Sequence, residues 1–312
     1  MEKSECLKRM ISPGMIRKGK PRGGVIQIHI TRACNLACFN CTQGSNLRGK
    51  TEFIKLDQFE QACKSLERYF GIVGIFGGNP ALHPEFESIC DILANYIPKQ
   101  RRGLWCNNLN GHGAICRNTF NPAVSNLNVH LDVEAYTEMR RDWPESRPFG
   151  LHEDSRHSPV HLAMKDVIEN ESDRWEAISN CDINKHWSAM IGVFRGELRG
   201  YFCEIAGAQA MLHQHEPDYP DTGVEVSPSW WKKTMDEFSH QVSKHCHECA
   251  VPLRGYGELS QAENGTETTS KTHADIYKPK RKNRNVEMAV TLDDLRANSL
   301  RKTTDYMGNG RK

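Results

Sequence analysis

The stretch Val25-Ile-Gln-Ile-His-Ile30-Thr-Arg-Ala-Cys34-Asn-Leu-Ala-Cys38-Phe-Asn-Cys41 sets three cysteines within eight residues directly behind a short β-branched run. A run of that kind reads as a buried strand, and the polar residues behind it read as a loop. Thiolates are soft ligands, so three at this spacing suit zinc or an iron–sulfur cluster. The C-terminal end of a strand is also where βα folds build their active sites. A cluster held by only three cysteines leaves one iron with an open coordination position, able to take a small substrate or cofactor.

Outward from the triad the pattern repeats as strand, loop and helix. Residues 56–69 show helical spacing through Phe59, Cys63, Leu66 and Phe70, and residues 72–76 form a second buried strand. Residues 86–97 read as the next helix. Further strands are predicted at 103–106, 127–131 and 160–164, with a helix at 134–141, giving about six βα units by Lys165. The texture then changes. Residues 188–194 and 198–203 flank Arg195-Gly196-Glu197 as a β-hairpin, in an accessory region that begins near Glu171. Residues 257–273 are rich in Ser, Thr, Glu and Asn and read as a flexible linker, ahead of the basic run Lys278–Arg284. The expected organisation is a lead-in at 1–23, a core at 24–170, an accessory region at 171–257, and a linker with basic tail at 258–312.

The 312 residues, 38% hydrophobic and 26% charged, suffice for one large or two modest domains. No stretch approaches the ~20 apolar residues of a spanning helix, and residues 1–20 lack the apolar core of a secretory leader. The protein is therefore expected in the cytoplasm. In that reducing compartment its twelve cysteines point to metal or redox chemistry, not to a disulfide scaffold. A net charge of +2 argues against wholesale electrostatic capture of nucleic acid and leaves room for a local patch.

The CxxxCxxC spacing behind a strand, followed about forty residues later by Gly77-Gly78-Asn79-Pro80 behind the second strand, resembles the radical S-adenosylmethionine (radical SAM) superfamily. The resemblance spans residues 24–165. It implies a partial (β/α)6 TIM-like barrel of α/β class with a small C-terminal β-hairpin/helix cluster-binding extension. It also implies a [4Fe-4S] cluster on Cys34, Cys38 and Cys41 whose unique iron binds S-adenosylmethionine. An external donor such as flavodoxin or ferredoxin would supply the electron that cleaves the cofactor to a 5′-deoxyadenosyl radical, and that radical abstracts a substrate hydrogen. The chain departs from the family in two places. Asn79 stands where Glu is frequent, and Asn40 stands where an aromatic residue often precedes the third cysteine. The glycines still permit close backbone approach to the methionyl group, and main-chain atoms near Asn40 can still meet adenine. A zinc knuckle or buried structural thiols are the alternative.

The resemblance also directs attention to Asn107, Asn108, Asn110, His130 and Asp132, at strand ends where the family contacts methionyl carboxylate and ribose. All five equally suit loop or capping roles. Lys165 and Asp166 are either substrate-facing or solvated. Cys6, Cys63, Cys90, Cys106 and Cys116 read as ordinary packed thiols.

Cys181, Cys203, Cys246 and Cys249 form a second group, with the last two inside His245-Cys-His-Glu-Cys249. This layout resembles the SPASM or shorter twitch extension that holds an auxiliary [4Fe-4S] cluster. A closed tetrahedral zinc site fits the same spacing. Among the fourteen histidines, His83 reads as a first-turn residue, and His152, His157, His161, His213 and His215 as pocket or surface residues without catalytic duty. Trp230-Trp231 reads as the anchor of a helix start, with a base-stacking platform as the second reading.

Five basic residues in Lys278–Arg284 make an arm suited to phosphate backbones, or simply a solvated tail. Together with the compact size and the GGNP variant, the arm gives a loose resemblance to phage-encoded radical enzymes that modify DNA bases, including those that isomerise glycine-bearing thymidine. Substrates of other kinds are a peptide, a sugar or a tRNA base. A different class altogether is a non-catalytic zinc-binding nucleic-acid adaptor.

Overall fold

The computed structural model describes residues 1–15, 24–45, 47, 52–151, 156–186, 188–253, 258–259, 266–277 and 285–292. Helix α1 (Lys3–Arg9) precedes β1 (Val25–Thr31), α2 (Leu56–Leu66), β2 (Ile72–Gly77), α3 (Phe86–Tyr96), β3 (Arg102–Cys106), α4 (Gly113–Thr119), β4 (Asn126–Leu127) and α5 (Val133–Asp142). Then come β5 (Arg156–His157), α6 (Met164–Val167), α7 (Glu171–Ser179) and α8 (Asp182–His186). A hairpin of β6 (Ser188–Phe194) and β7 (Glu197–Tyr201) leads into α9 (Glu204–His213), β8 (Val224–Glu225) and α10 (Ser239–His245). The short strands β9 (Glu258–Leu259), β10 (Thr266–Thr269) and β11 (Asn285–Met288) follow.

The central sheet has the order β4-β3-β2-β1-β6-β7-β8. Its first five members run parallel, and β7 and β8 are antiparallel. This is the α/β architecture expected from the sequence. All seven residues of β1 are buried, as an inner parallel strand covered on both faces requires. On one face Ile26, Ile28 and Ile30 join Val73, Ile75 and Leu104 beneath the apolar stripe of α2, Phe59, Cys63 and Leu66. Each of these large side chains contributes roughly 1.5–3 kcal/mol by leaving water. The opposite face carries Phe76, Met190, Phe194 and Tyr201, which pack with Met211 of α9 and with Tyr219. Helix α9 is buried along its whole length, and its Glu204 accepts a hydrogen bond from Gln27 Nε2 at 2.6 Å.

Three expectations change. Residues 160–164 are buried but are not a strand, because their amides turn back on Ser158 and Pro159 or meet the Ser270 hydroxyl. The fifth parallel strand is instead β6, which pairs with β1 from Val25↔Ser188 to Ile28↔Ile191, so the hairpin continues the central sheet. The fourth strand ends at Leu127, ahead of left-handed His130 and Leu131. Within the predicted linker, Glu267, Thr268, Thr269, Ser270 and His273 are all at most 1% exposed, and Glu267, Thr269, Ser270 and His273 each bond a partner distant in sequence. The basic run 278–284 lies outside the described residues. Trp230 and Trp231 open a short 3-10 turn inside the core, where Trp231 meets Tyr69 at 5.2 Å, so they act as an anchor and not as a platform. Among the described residues no helix is long and apolar enough to cross a membrane.

Candidate functional site

The triad occupies the loop that leaves the C-terminal end of β1. Cys38 is buried, and Cys34 and Cys41 are half-exposed. The loop is stitched to the end of β2: Gly78 N donates to Thr31 O at 2.9 Å and Asn79 N to Ala33 O at 2.6 Å. The approach demands glycine, since a Cβ on Gly78 would stand 2.1 Å from Ala33 O and 2.9 Å from Cys34 Cβ. Farther along, Asn40 adopts a left-handed φ of 49°, and its buried amide donates to Glu267 Oε1 at 2.9 Å. His157 Nδ1 meets Phe39 O at 2.9 Å and His161 Nε2 meets Cys41 O at 3.0 Å. Arg32, buried beneath the loop, donates to Gly44 O at 3.0 Å.

Asn35, the residue after the first cysteine, joins three strand ends. Its Oδ1 accepts from Asn79 Nδ2 at 3.4 Å and from Asn107 Nδ2 at 3.0 Å, tying the ends of β1, β2 and β3 together. Asn107 Oδ1 and Asn110 Nδ2 are buried without a protein partner. A buried amide left in this state costs about 1–3 kcal/mol until a polar ligand meets it. Asn107, tied to Asn35 beside Cys34, offers an acceptor suited to the ammonium of a methionyl group next to an iron–sulfur cluster, and Asn110, three residues on, offers a donor suited to its carboxylate. Pro80 begins a 3-10 turn whose first N–H, that of Ala81, donates to Asn79 Oδ1 at 3.3 Å, and Asn108 Oδ1 closes a local turn onto Asn110 N at 2.7 Å.

The remaining predicted positions divide by partner. Asp132 caps α5, accepting from Ala135 N at 2.9 Å. His130 lies edge-on to His157 with ring centroids 5.2 Å apart; burial, and then the neighbouring His157, push its pKa well below the usual imidazole range. His83 bridges Ile54 O and Glu85 N as a turn residue. Lys165 pairs with Glu248 at 2.6 Å. Asp166 accepts from Ser270 Oγ, Thr272 N and Thr272 Oγ1. Cys63 and Cys106 are buried thiols whose pKa values burial raises. Asn35 and Glu267 escaped the sequence reading. Asn35 could have been flagged by its place beside Cys34, whereas nothing local marks Glu267.

Cys181, Cys203, Cys246 and Cys249 line one cavity with His245 and Met10. Burial first, and then neighbouring thiols, push the Cys203 and Cys246 pKa values up. Four thiols facing apolar walls make a donor set that needs a bound cation to become thiolate, and this fits an iron–sulfur cluster or zinc. No group of three or more His, Cys, Asp and Glu side chains among the described residues is gathered as for a single metal ion. His245 is held away from the cavity's ligand role by Thr222 Oγ1 at 2.7 Å and Gln209 Oε1 at 3.2 Å.

Among solved structures the chain is similar to BtrN in complex with AdoMet and 2-DOIA, at TM-score 0.42 and 14% identity over 72% of this chain and 92% of that one. It is also similar to selenomethionine BtrN in an open conformation, at TM-score 0.37 and 11% identity over 78% and 94%. No curated protein matches the sequence. The family model described as the radical SAM superfamily matches residues 28–206, which takes in β1 from Ile28, the triad loop, the other four parallel strands and more than half of the chain. The chain belongs to the radical SAM superfamily.

Proposed function

We propose that this radical SAM enzyme abstracts hydrogen from a nucleic-acid base, such as a glycine-modified thymidine in DNA, and isomerises it. When bound, a [4Fe-4S] cluster and S-adenosylmethionine supply the electron and the 5′-deoxyadenosyl radical. Cys34, Cys38 and Cys41 hold that cluster, and Cys181, Cys203, Cys246 and Cys249 hold a second [4Fe-4S] cluster, with flavodoxin or ferredoxin as the external electron donor.

The observation that carries the reading is the junction of the triad loop with the ends of β2 and β3. There Asn35 holds Asn79 and Asn107 in place, and Asn107 Oδ1 and Asn110 Nδ2 remain available to a polar ligand. Gly77 and Gly78 bring the β2 end against Thr31 and Ala33. Phe76, next to the β2 end, packs with Met190, Phe194 and Tyr201 in an apolar core that excludes water from that face of the sheet. The nucleic-acid substrate is supported by the basic run Lys278–Arg284, whose charges suit a phosphate backbone.

Anaerobic incubation of the reconstituted protein with S-adenosylmethionine and a strong reductant tests the first step. Deoxyadenosine is expected above a Cys38→Ala control, and its absence overturns the reading. Deuterium carried from labelled duplex DNA into deoxyadenosine tests the substrate. Transfer only from a peptide, sugar or tRNA would replace DNA with that substrate.

A further inference from the structure

Residues 266–277 connect the two cysteine groups through contacts only a few residues apart. At one end the Glu267 carboxylate accepts the amide of Asn40, between the second and third triad cysteines. At the other, His273 Nε2 meets the carbonyl of Glu248, between Cys246 and Cys249, at 2.7 Å. Between them Thr269 Oγ1 donates to His161 O at 2.8 Å, and the same His161 meets Cys41 O through Nε2. Asp166 clasps the segment by accepting from Ser270 and Thr272. Farther on, Ile276 packs against Leu47 and Leu212.

We propose that residues 266–277 are a strap that fixes the Asn40–Cys41 end of the triad loop, with Glu267 as the positioning residue for that turn. The inference rests on the reading that the triad holds the cofactor cluster. Asn40 is not glycine, yet it sits in the left-handed region and is fully buried. A buried amide in a turn of that kind needs an acceptor, and a carboxylate is the strongest one a protein offers. The turn lies between Cys38 and Cys41, so the acceptor that fixes it also fixes where the third thiol stands relative to the second. The strap therefore pre-organises the loop before any cofactor arrives, which spares binding the cost of ordering it.

The test uses the full-length chain with Glu267→Ala and Glu267→Gln. Hydrogen exchange of the apoprotein reads the Asn40 amide directly, without activity. In Glu267→Ala it should exchange at least ~tenfold faster, the lower end for a hydrogen bond to a charged group, while Glu267→Gln, whose amide oxygen still accepts, stays closer to wild type than to Glu267→Ala. S-adenosylmethionine affinity of the reconstituted protein should fall by about the same tenfold in Glu267→Ala and recover in Glu267→Gln. If Glu267→Ala does not fold, wild-type exchange decides: the Asn40 amide and the amides of β10 should open together across a denaturant series. Unchanged exchange in Glu267→Ala, tighter cofactor binding in that variant, or an Asn40 amide that opens independently of β10 overturns the strap. Absence of deoxyadenosine from wild type overturns the radical reading and leaves the exchange result standing.

Discussion

Replacing Gly78 with alanine isolates the closest approach in the site. The Gly78 backbone is not left-handed, so alanine meets no conformational penalty of its own there. Its Cβ would nevertheless lie 2.1 Å from Ala33 O, 2.7 Å from Ala33 C and 2.9 Å from Cys34 Cβ. That is roughly 1 Å short of an ordinary contact, and all three neighbours belong to the triad loop. Relief requires the loop to move away from β2, which stretches the hydrogen bond from Asn79 N to Ala33 O. Overpacking of this sort costs about 1–3 kcal/mol, and a weakened hydrogen bond adds about 0.5–1.5 kcal/mol, so a loss of about 1.5–4.5 kcal/mol is expected. Urea denaturation of the apoprotein measures it, and iron content after reconstitution reports whether the triad still loads. Gly111→Ala is the control. It has nothing within 4 Å of the new Cβ and a φ of +79°, so it carries only the backbone cost of about 1–2 kcal/mol. Equal losses in the two variants, with full iron in Gly78→Ala, would refute the claim that β2 holds the triad loop by close packing.

Acid should destabilise the fold through His29. Burial first, and then the nearby Arg32 charge, lower its pKa to about 3, so the folded state holds a neutral imidazole that the unfolded chain protonates near pH 6.5. Its contribution is complete above about pH 6.5 and is lost as pH falls toward 3; between pH 7 and 5 wild type should lose about 2 kcal/mol more than His29→Leu. A parallel pH response of the two proteins in urea melts would exclude this role. For the second cysteine group, Cys246→Ala should lower iron by about one cluster, roughly half of the total, while cofactor cleavage at the triad persists. Unchanged iron would remove the auxiliary cluster from the proposal.

The parts of the molecule governed by local rules were legible in the sequence. The β-branched run of β1, the helical stripe of α2 and the glycines behind β2 each occur where the residues indicate. The four later thiols also share a cavity, as their grouping suggested. The misreadings have a common physical cause. Val160, Leu162, Ala163 and Met164 are as buried as any strand, but burial alone does not distinguish a strand from a packed turn whose amides find partners elsewhere. The Thr and Glu residues of β10, and Ser270 behind it, looked solvated because their acceptors and donors, Asn40, His161 and Asp166, are distant in sequence. The hairpin of β6 and β7 was found at nearly the right residues yet assigned to a separate region, since composition does not record that β6 lies beside β1. Asn35 and Glu267 were missed for the same reason: each matters through the partners that the fold brings to it.

The bond between Asn40 and Glu267 spans 227 residues of sequence. A ribosome adding about 5–20 residues per second would release the triad loop roughly 10–45 s before the carboxylate that secures it. Throughout that interval Cys34, Cys38 and Cys41 stand on a turn that still lacks its Glu267 acceptor. The order of synthesis thus presents the thiols first, to an iron–sulfur carrier or to an oxidant, and secures the turn between them last.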